Sequence, residues 1–205
     1  MRYRFLAVCP LLALAGCTKT WDVQLTEVGK HNVELYLNAP AGESFSLRGM
    51  KLTWAIQGGG GGEIDLGVLP DPLNAGEFLV VWERNGYAGP PVAEDYVSGA
   101  PGPVKGIKVA DNLFDTLDTL PAMVQVEGVR SEALLVRHKA ADGVRFGMPV
   151  ADRPQVGPLF TDDGSLFSPT GAGSVQRVFS GGAPRDTNHE SDWKNYANSF
   201  GAPTP

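Results

Sequence analysis

Four oxygen-bearing side chains occupy alternate positions late in the chain: Asp186, Asn188, Glu190 and Asp192. Ca²⁺ takes about six to eight oxygen ligands, and closely spaced carboxylates and amides can supply them. A regular EF-hand loop counted from Asp186 would need Gly at its sixth position and Glu at its twelfth. Ser191 and Ala197 stand there, so that loop is excluded. An irregular calcium site and a purely structural turn both stay open. Zinc is not favoured: His31, His138 and His189 are dispersed, and neither H-E-x-x-H nor C-x-x-C occurs. There is no G-x-S-x-G nucleophile elbow, although a dispersed Ser/His/Asp set is not excluded by spacing. Residues 58–62 are five consecutive glycines, but a phosphate cradle needs a following helix and usually a lysine. Glu63 follows instead and strand alternation resumes, so the run reads as a flexible loop tip. Trp21, Trp54, Trp82 and Trp193 read as core or edge anchors rather than sugar platforms.

A different chemistry is written at the start. Arg2 and Arg4 precede an eleven-residue apolar run, residues 5–15, which is too short to span a bilayer (about 20 residues) and suits a signal-peptide core. The run ends in Leu14-Ala15-Gly16-Cys17, which resembles the bacterial lipobox. The resemblance implies cleavage after residue 16 and a lipid-modified thiol on Cys17. Residues 1–16 are then a removed signal peptide and 17–22 a lipidated tether. Cys9 leaves with the signal, so no disulfide can form within the mature chain. Each buried CH₂ contributes about 0.8 kcal/mol, so two or three acyl chains anchor firmly. Thr18 rather than Asp follows the cysteine, which by the same resemblance implies the outer membrane.

Charge and composition narrow the classes further. Losing Arg2 and Arg4 leaves 15 cations against 23 acids, a net charge of −8. Such a chain is a poor non-specific ligand for nucleic acid, which is held by clustered Lys and Arg. The sequence is 42% hydrophobic, enough to form a core. Its 26 glycines and 16 prolines point to short strands with many turns.

The elements that must position these residues are mostly strands. Val33, Leu35 and Leu37 alternate with polar neighbours, as do residues 52–56 and 63–68. Residues 78–82 are continuously apolar, as in a strand covered on both faces. Residues 23–28, 107–109, 123–126, 133–136 and 175–179 bring the strand candidates to nine. Leu113, Phe114, Leu117 and Leu120 share a helical face, with Asp111 as cap and Pro121 as stop, predicting a short helix near 112–119. Asp115 and Asp118 would then face solvent. Residues 148–173 read as an irregular loop and 201–205 as an extended tail.

Three segments in order resemble the lamin-tail domain, an immunoglobulin-like β-sandwich. The first is Val33-Glu34-Leu35-Tyr36-Leu37-Asn38 followed by Ser46-Leu47-Arg48-Gly49-Met50-Lys51-Leu52, with Ser46 and Met50 where the family has Asp and Trp. The second is Leu73-Asn74-Ala75-Gly76-Glu77-Phe78 leading into a strand. The third is Gly173-Ser174-Val175-Gln176-Arg177-Val178, then Asp186-Thr187-Asn188, Asp192-Trp193 and Pro203-Thr204-Pro205. In that closing motif Asp186 and Asn188 can form Asx-turns, Trp193 can plug the sandwich, and Arg177 can pair with an acid.

The expectation is therefore an all-β, immunoglobulin-like β-sandwich of lamin-tail type over residues 23–200. The resemblance implies a non-enzymatic interaction or scaffold module. Its partners are the membrane, through the lipid, and a protein or polymer of the envelope, with no nucleic acid and no cofactor. Two alternatives are a calcium-dependent adhesion module, on Asp186, Asn188, Glu190 and Asp192, and a lipoprotein hydrolase. No catalytic residues are assigned.

Overall fold

A computed structural model describes residues 22–56, 60–94, 104–114, 122–128, 139–146, 160–162, 173–187 and 190–204. Its first hairpin joins β1 (Asp22–Val28) to β2 (Asn32–Asn38). In β2 the alternation behaves as the sequence predicts: Val33, Leu35 and Leu37 enter the main core. In β1 it breaks. Strict alternation would send Val23, Leu25 and Glu27 to one face. A bulge between Leu25 and Glu27 inserts Thr26, so Leu25 opposes Leu35, whereas Glu27 opposes Glu34 and Val28 opposes Val33. Val28 thereby joins Val23 and Leu25 in the core, and Glu27 turns to the opposite face beside Glu34.

The remaining strands are β3 (Ser44–Phe45), β4 (Lys51–Ile56), β5 (Gly61–Asp65), β6 (Leu73–Asn74), β7 (Phe78–Glu83), β8 (Val92–Glu94), β9 (Lys105–Val109), β10 (Ala122–Gly128), β11 (Lys139–Phe146), β12 (Phe160–Asp162), β13 (Gly173–Arg177), β14 (Phe179–Ser180), β15 (Ala183–Pro184) and β16 (Trp193–Ala197). Seven form one sheet in the order β16-β13-β1-β2-β7-β9-β8, and five form a second in the order β12-β11-β10-β4-β5. Neighbours are antiparallel except β7 with β9 and β11 with β12. Leu25, Leu35, Leu79, Ile107 and Val175 of the first sheet share one core with Leu52, Trp54, Val124, Val126 and Val144 of the second. The fold is an all-β sandwich. Its cohesion is apolar burial, worth about 1.5–3 kcal/mol for each such side chain.

The outer face of the seven-stranded sheet is also covered. Tyr36, Phe78, Val80 and Val104 form a second cluster, with Trp82, Phe179 and Phe200 packed on it. The β14–β15 hairpin supplies Phe179, whose ring meets Tyr36 edge-on at 5.5 Å. This third layer explains why β7 is apolar on both sides.

Several local expectations are revised. The strand expected over 63–68 stops at Asp65, whose carboxylate caps a 3-10 turn, Leu66–Val68, by accepting from Gly67 N–H at 2.8 Å. Gly61 and Gly62 lie in β5 rather than at a loop tip. The helix expected near 112–119 does not begin there: Asn112 has φ +61°, residues 111–114 turn, and Phe114 is buried against Trp54. Asp111 caps this turn instead, accepting from Asn112 N–H and Gly86 N–H at 3.1 Å each. Residues 115–119 and 133–136 lie outside the described residues. Within the expected loop 148–173, Phe160–Asp162 pairs with β11, and β11 and β16 are strands with no counterpart among the nine candidates. Residues 201–204, expected to be extended, fold back: Ala202 N–H reaches Ser199 O at 3.0 Å and Thr204 is buried.

Candidate functional site

Polar chemistry concentrates where β13 lies between β1 and β16. Gly173 to Arg177 alternate, so Val175 enters the core while Ser174 and Gln176 face the covered outer side. Glu27 meets them there. Its Oε1 accepts from Ser174 Oγ at 2.6 Å, Gln176 Nε2 at 3.2 Å and Ser199 N–H at 3.0 Å. Its Oε2 lies 3.0 Å from Ser199 Oγ. Burial pushes the Glu27 carboxyl up from its ordinary range, and these hydrogen bonds oppose the shift.

Glu34 is held on two sides. Thr26 Oγ1, the bulged residue, lies 2.7 Å from Oε1, and Gly201 N–H donates to Oε2. Burial first, and then the neighbouring Glu27 charge, raise Glu34 to about 8. None of the ion pairs among the described residues involves either glutamate.

Arg177 anchors the other end of β13. It is fully buried, and its Nε donates to Leu25 O at 2.8 Å, close to the bulge. One terminal nitrogen donates to Arg185 O at 3.0 Å and Asp186 Oδ1 at 3.1 Å. The guanidinium lies 4.5 Å from the Trp193 ring, and Trp193 is a core residue, as expected for a plug.

The calcium candidates separate in role. Asp186 accepts from Arg177 and, at 3.1 Å, from Gln24 Nε2. Asp192 is fully buried and accepts from Thr187 N–H at 2.6 Å, Thr187 Oγ1 at 2.8 Å and Arg185 Nε at 3.1 Å. Asp192 thus reaches back five residues to close on Thr187, whereas the Asx-turns expected of Asp186 and Asn188 involve residues 188–189, outside the described residues. Glu190 begins the 3-10 turn Glu190–Asp192. Asn188 lies outside the described residues, as does Cys17. Among the described residues no three His, Cys, Asp or Glu side chains gather as metal ligands do.

A second arrangement was not anticipated. His31, half-exposed in the β1–β2 turn, places Nδ1 2.7 Å from Oε2 of buried Glu83. Glu83 Oε1 accepts the Phe114 N–H. A carboxylate that orients an accessible imidazole is chemically able to support general-base work or single-ligand metal contact. Glu83 ends an apolar run, and its burial follows from the 111–114 turn folding over it, which no local pattern announces.

Glu27 and Glu34 were missed for a related reason. A polar residue between apolar ones reads as solvent-facing. The clue was Phe78 to Trp82, apolar on both faces: β2 pairs with that strand, so its outer face had to be covered as well.

No protein-family model matches this sequence, and no curated protein matches it.

Proposed function

We propose that this chain is a lipid-anchored, non-enzymatic interaction module of the bacterial cell envelope, carried on a sandwich of lamin-tail type. The observation that supports it best is how the closing motif is used. Arg177, Asp186, Thr187, Asp192 and Trp193 bind one another and the β1 backbone. Their chemistry is spent on joining the end of the chain to its beginning. Leu14-Ala15-Gly16-Cys17 supplies the address, with the thiol of Cys17 as lipid acceptor and, given Thr18, the outer membrane as destination. The sandwich then offers its loops and sheet edges to an envelope protein or polymer. The chromatin contacts of nuclear lamin-tail domains are not carried over, because the mature net charge of −8 would repel nucleic acid.

The test uses the full chain on a panel of ester, glycoside and nucleic-acid substrates, beside affinity capture from envelope extracts. The expected result is no turnover and saturable retention of one envelope component. Turnover abolished by His31→Ala would overturn the reading in favour of a hydrolase using the His31–Glu83 pair.

A further inference from the structure

Residues 198–204 cross the outer face of the seven-stranded sheet and close over two carboxylates. Ser199 binds Glu27 through N–H and hydroxyl, Gly201 N–H binds Glu34, and Thr204 Oγ1 lies 3.1 Å from Gln176 Oε1. Phe200 lies against Gly29, where a Cβ would come within 2.8 Å of the ring. Glycine at 29 thus leaves the seat for the aromatic anchor of this segment.

The groups facing Glu34 can be named element by element. From β1 come Glu27 and Thr26, and from β7 its ladder partner Val80. From β13 come Ser174 and Gln176, reached through Glu27, and from the closing segment Ser199, Phe200 and Gly201. Tyr36, two residues along β2, is a further titratable group on this face, and burial raises it as well. Glu27 is the charged group that acts on Glu34, and it has the same sign.

We propose that residues 198–204 form a proton-held strap, closed over the sheet while Glu34 carries a proton and opened when that proton is lost to base. A proton on Oε1 lets Glu34 donate to Thr26 Oγ1 while Oε2 still accepts from Gly201. The closed state then buries one charge rather than two. Loss of the proton leaves two anions under a cover that contributes hydrogen bonds but no cation. Lifting the strap hydrates both, and the proton passes to solvent. The raised value of Glu34, about 8, is the linked expression of the same geometry.

Hydrogen exchange on the full chain tests this, reading the Ser199 and Gly201 amides against Leu35 in β2, each corrected for its intrinsic rate. One proton released per opening reduces protection roughly tenfold per pH unit, so the strap amides lose up to about 100-fold between pH 6 and 8. Their protection levels off above that range and lies below that of Leu35 throughout. Glu34→Gln preserves both contacts, with the amide donating to Thr26 and accepting from Gly201, and reduces the loss to under about tenfold. The wild-type titration stands alone should that variant fold poorly. Protection independent of pH, an undiminished slope in Glu34→Gln, or strap amides that exchange only together with Leu35 would each overturn the proposal.

Discussion

Glu27 and Glu34 are ladder partners across the first hairpin, brought to the same face by a single inserted residue, Thr26. Without that bulge Glu27 would point into the core beside Leu25 and Leu35, and Val28 would leave it for the opposite face. With it, two acids share a covered sheet face where Ser174, Gln176, Ser199 and Gly201 supply the donors. The bulge therefore determines both the core composition and the polar layer that fastens the end of the chain.

Global stability should fall as the solution becomes more basic. Glu34 has its value raised from 4.5 to about 8, so between those limits the folded chain holds a proton that the unfolded chain releases. The Glu34 contribution is fully present below pH 4.5 and is lost as the pH rises through 8. Glu34→Gln removes this dependence. Urea midpoints of variant and wild type should converge in acid, with the variant about 2 kcal/mol more stable near pH 8, the scale of a poorly compensated buried polar group. Parallel curves for the two proteins would contradict the assignment.

Arg177→Ala should destabilise the fold by about 3–5 kcal/mol, because it leaves Asp186 and the Leu25 carbonyl without their buried partner. Arg177→Lys should recover only part of the loss, since an ammonium cannot match the fork that spans Leu25, Arg185 and Asp186. Denaturant titration of both variants measures the difference. Equal stability of Lys and Arg at this position would show that charge alone matters.

Gly62→Ala should cost about 1–3 kcal/mol, the range for forcing extra volume into a packed site. A Cβ there would lie 2.5 Å from the Trp54 ring. The near-ultraviolet Trp signal should change with it. A neutral substitution would restore the reading of this glycine as a loop residue.

The sandwich itself was legible because its core strands obey a two-residue period. Val33, Leu35 and Leu37 identify β2 without ambiguity, and residues 78–82 announce a doubly covered strand. What escaped is non-local. The bulge at Thr26 has no distinctive local composition. The positive φ of Asn112 makes residues 111–114 a capped turn where the apolar spacing predicts the start of a helix. β11, with polar and small residues through Lys139–Ala140–Ala141–Asp142–Gly143, gains its strand identity from pairing with β10 rather than from its own pattern. At the site, the pairing of Arg177 with an acid and the role of Trp193 were readable. The bond from Asp192 back to Thr187 was not, since it depends on the 3-10 turn Glu190–Asp192.

Millimolar Ca²⁺ should leave the melting temperature unchanged. Both oxygens of Asp186 and of Asp192 already accept from Arg177, Gln24, Thr187 or Arg185. A cation would have to displace those donors. A rise in melting temperature that chelator reverses, and that Asp186→Asn abolishes, would support the calcium-dependent adhesion alternative.

The functional reading rests on the thiol at position 17 carrying lipid. Intact-mass analysis of the protein isolated from bacterial membranes tests it most directly. The account predicts a chain beginning at Cys17 with the added mass of a diacylglyceryl group, and its loss from the membrane in Cys17→Ser. A chain beginning at another residue, or an unmodified Cys17 in the membrane fraction, would contradict it.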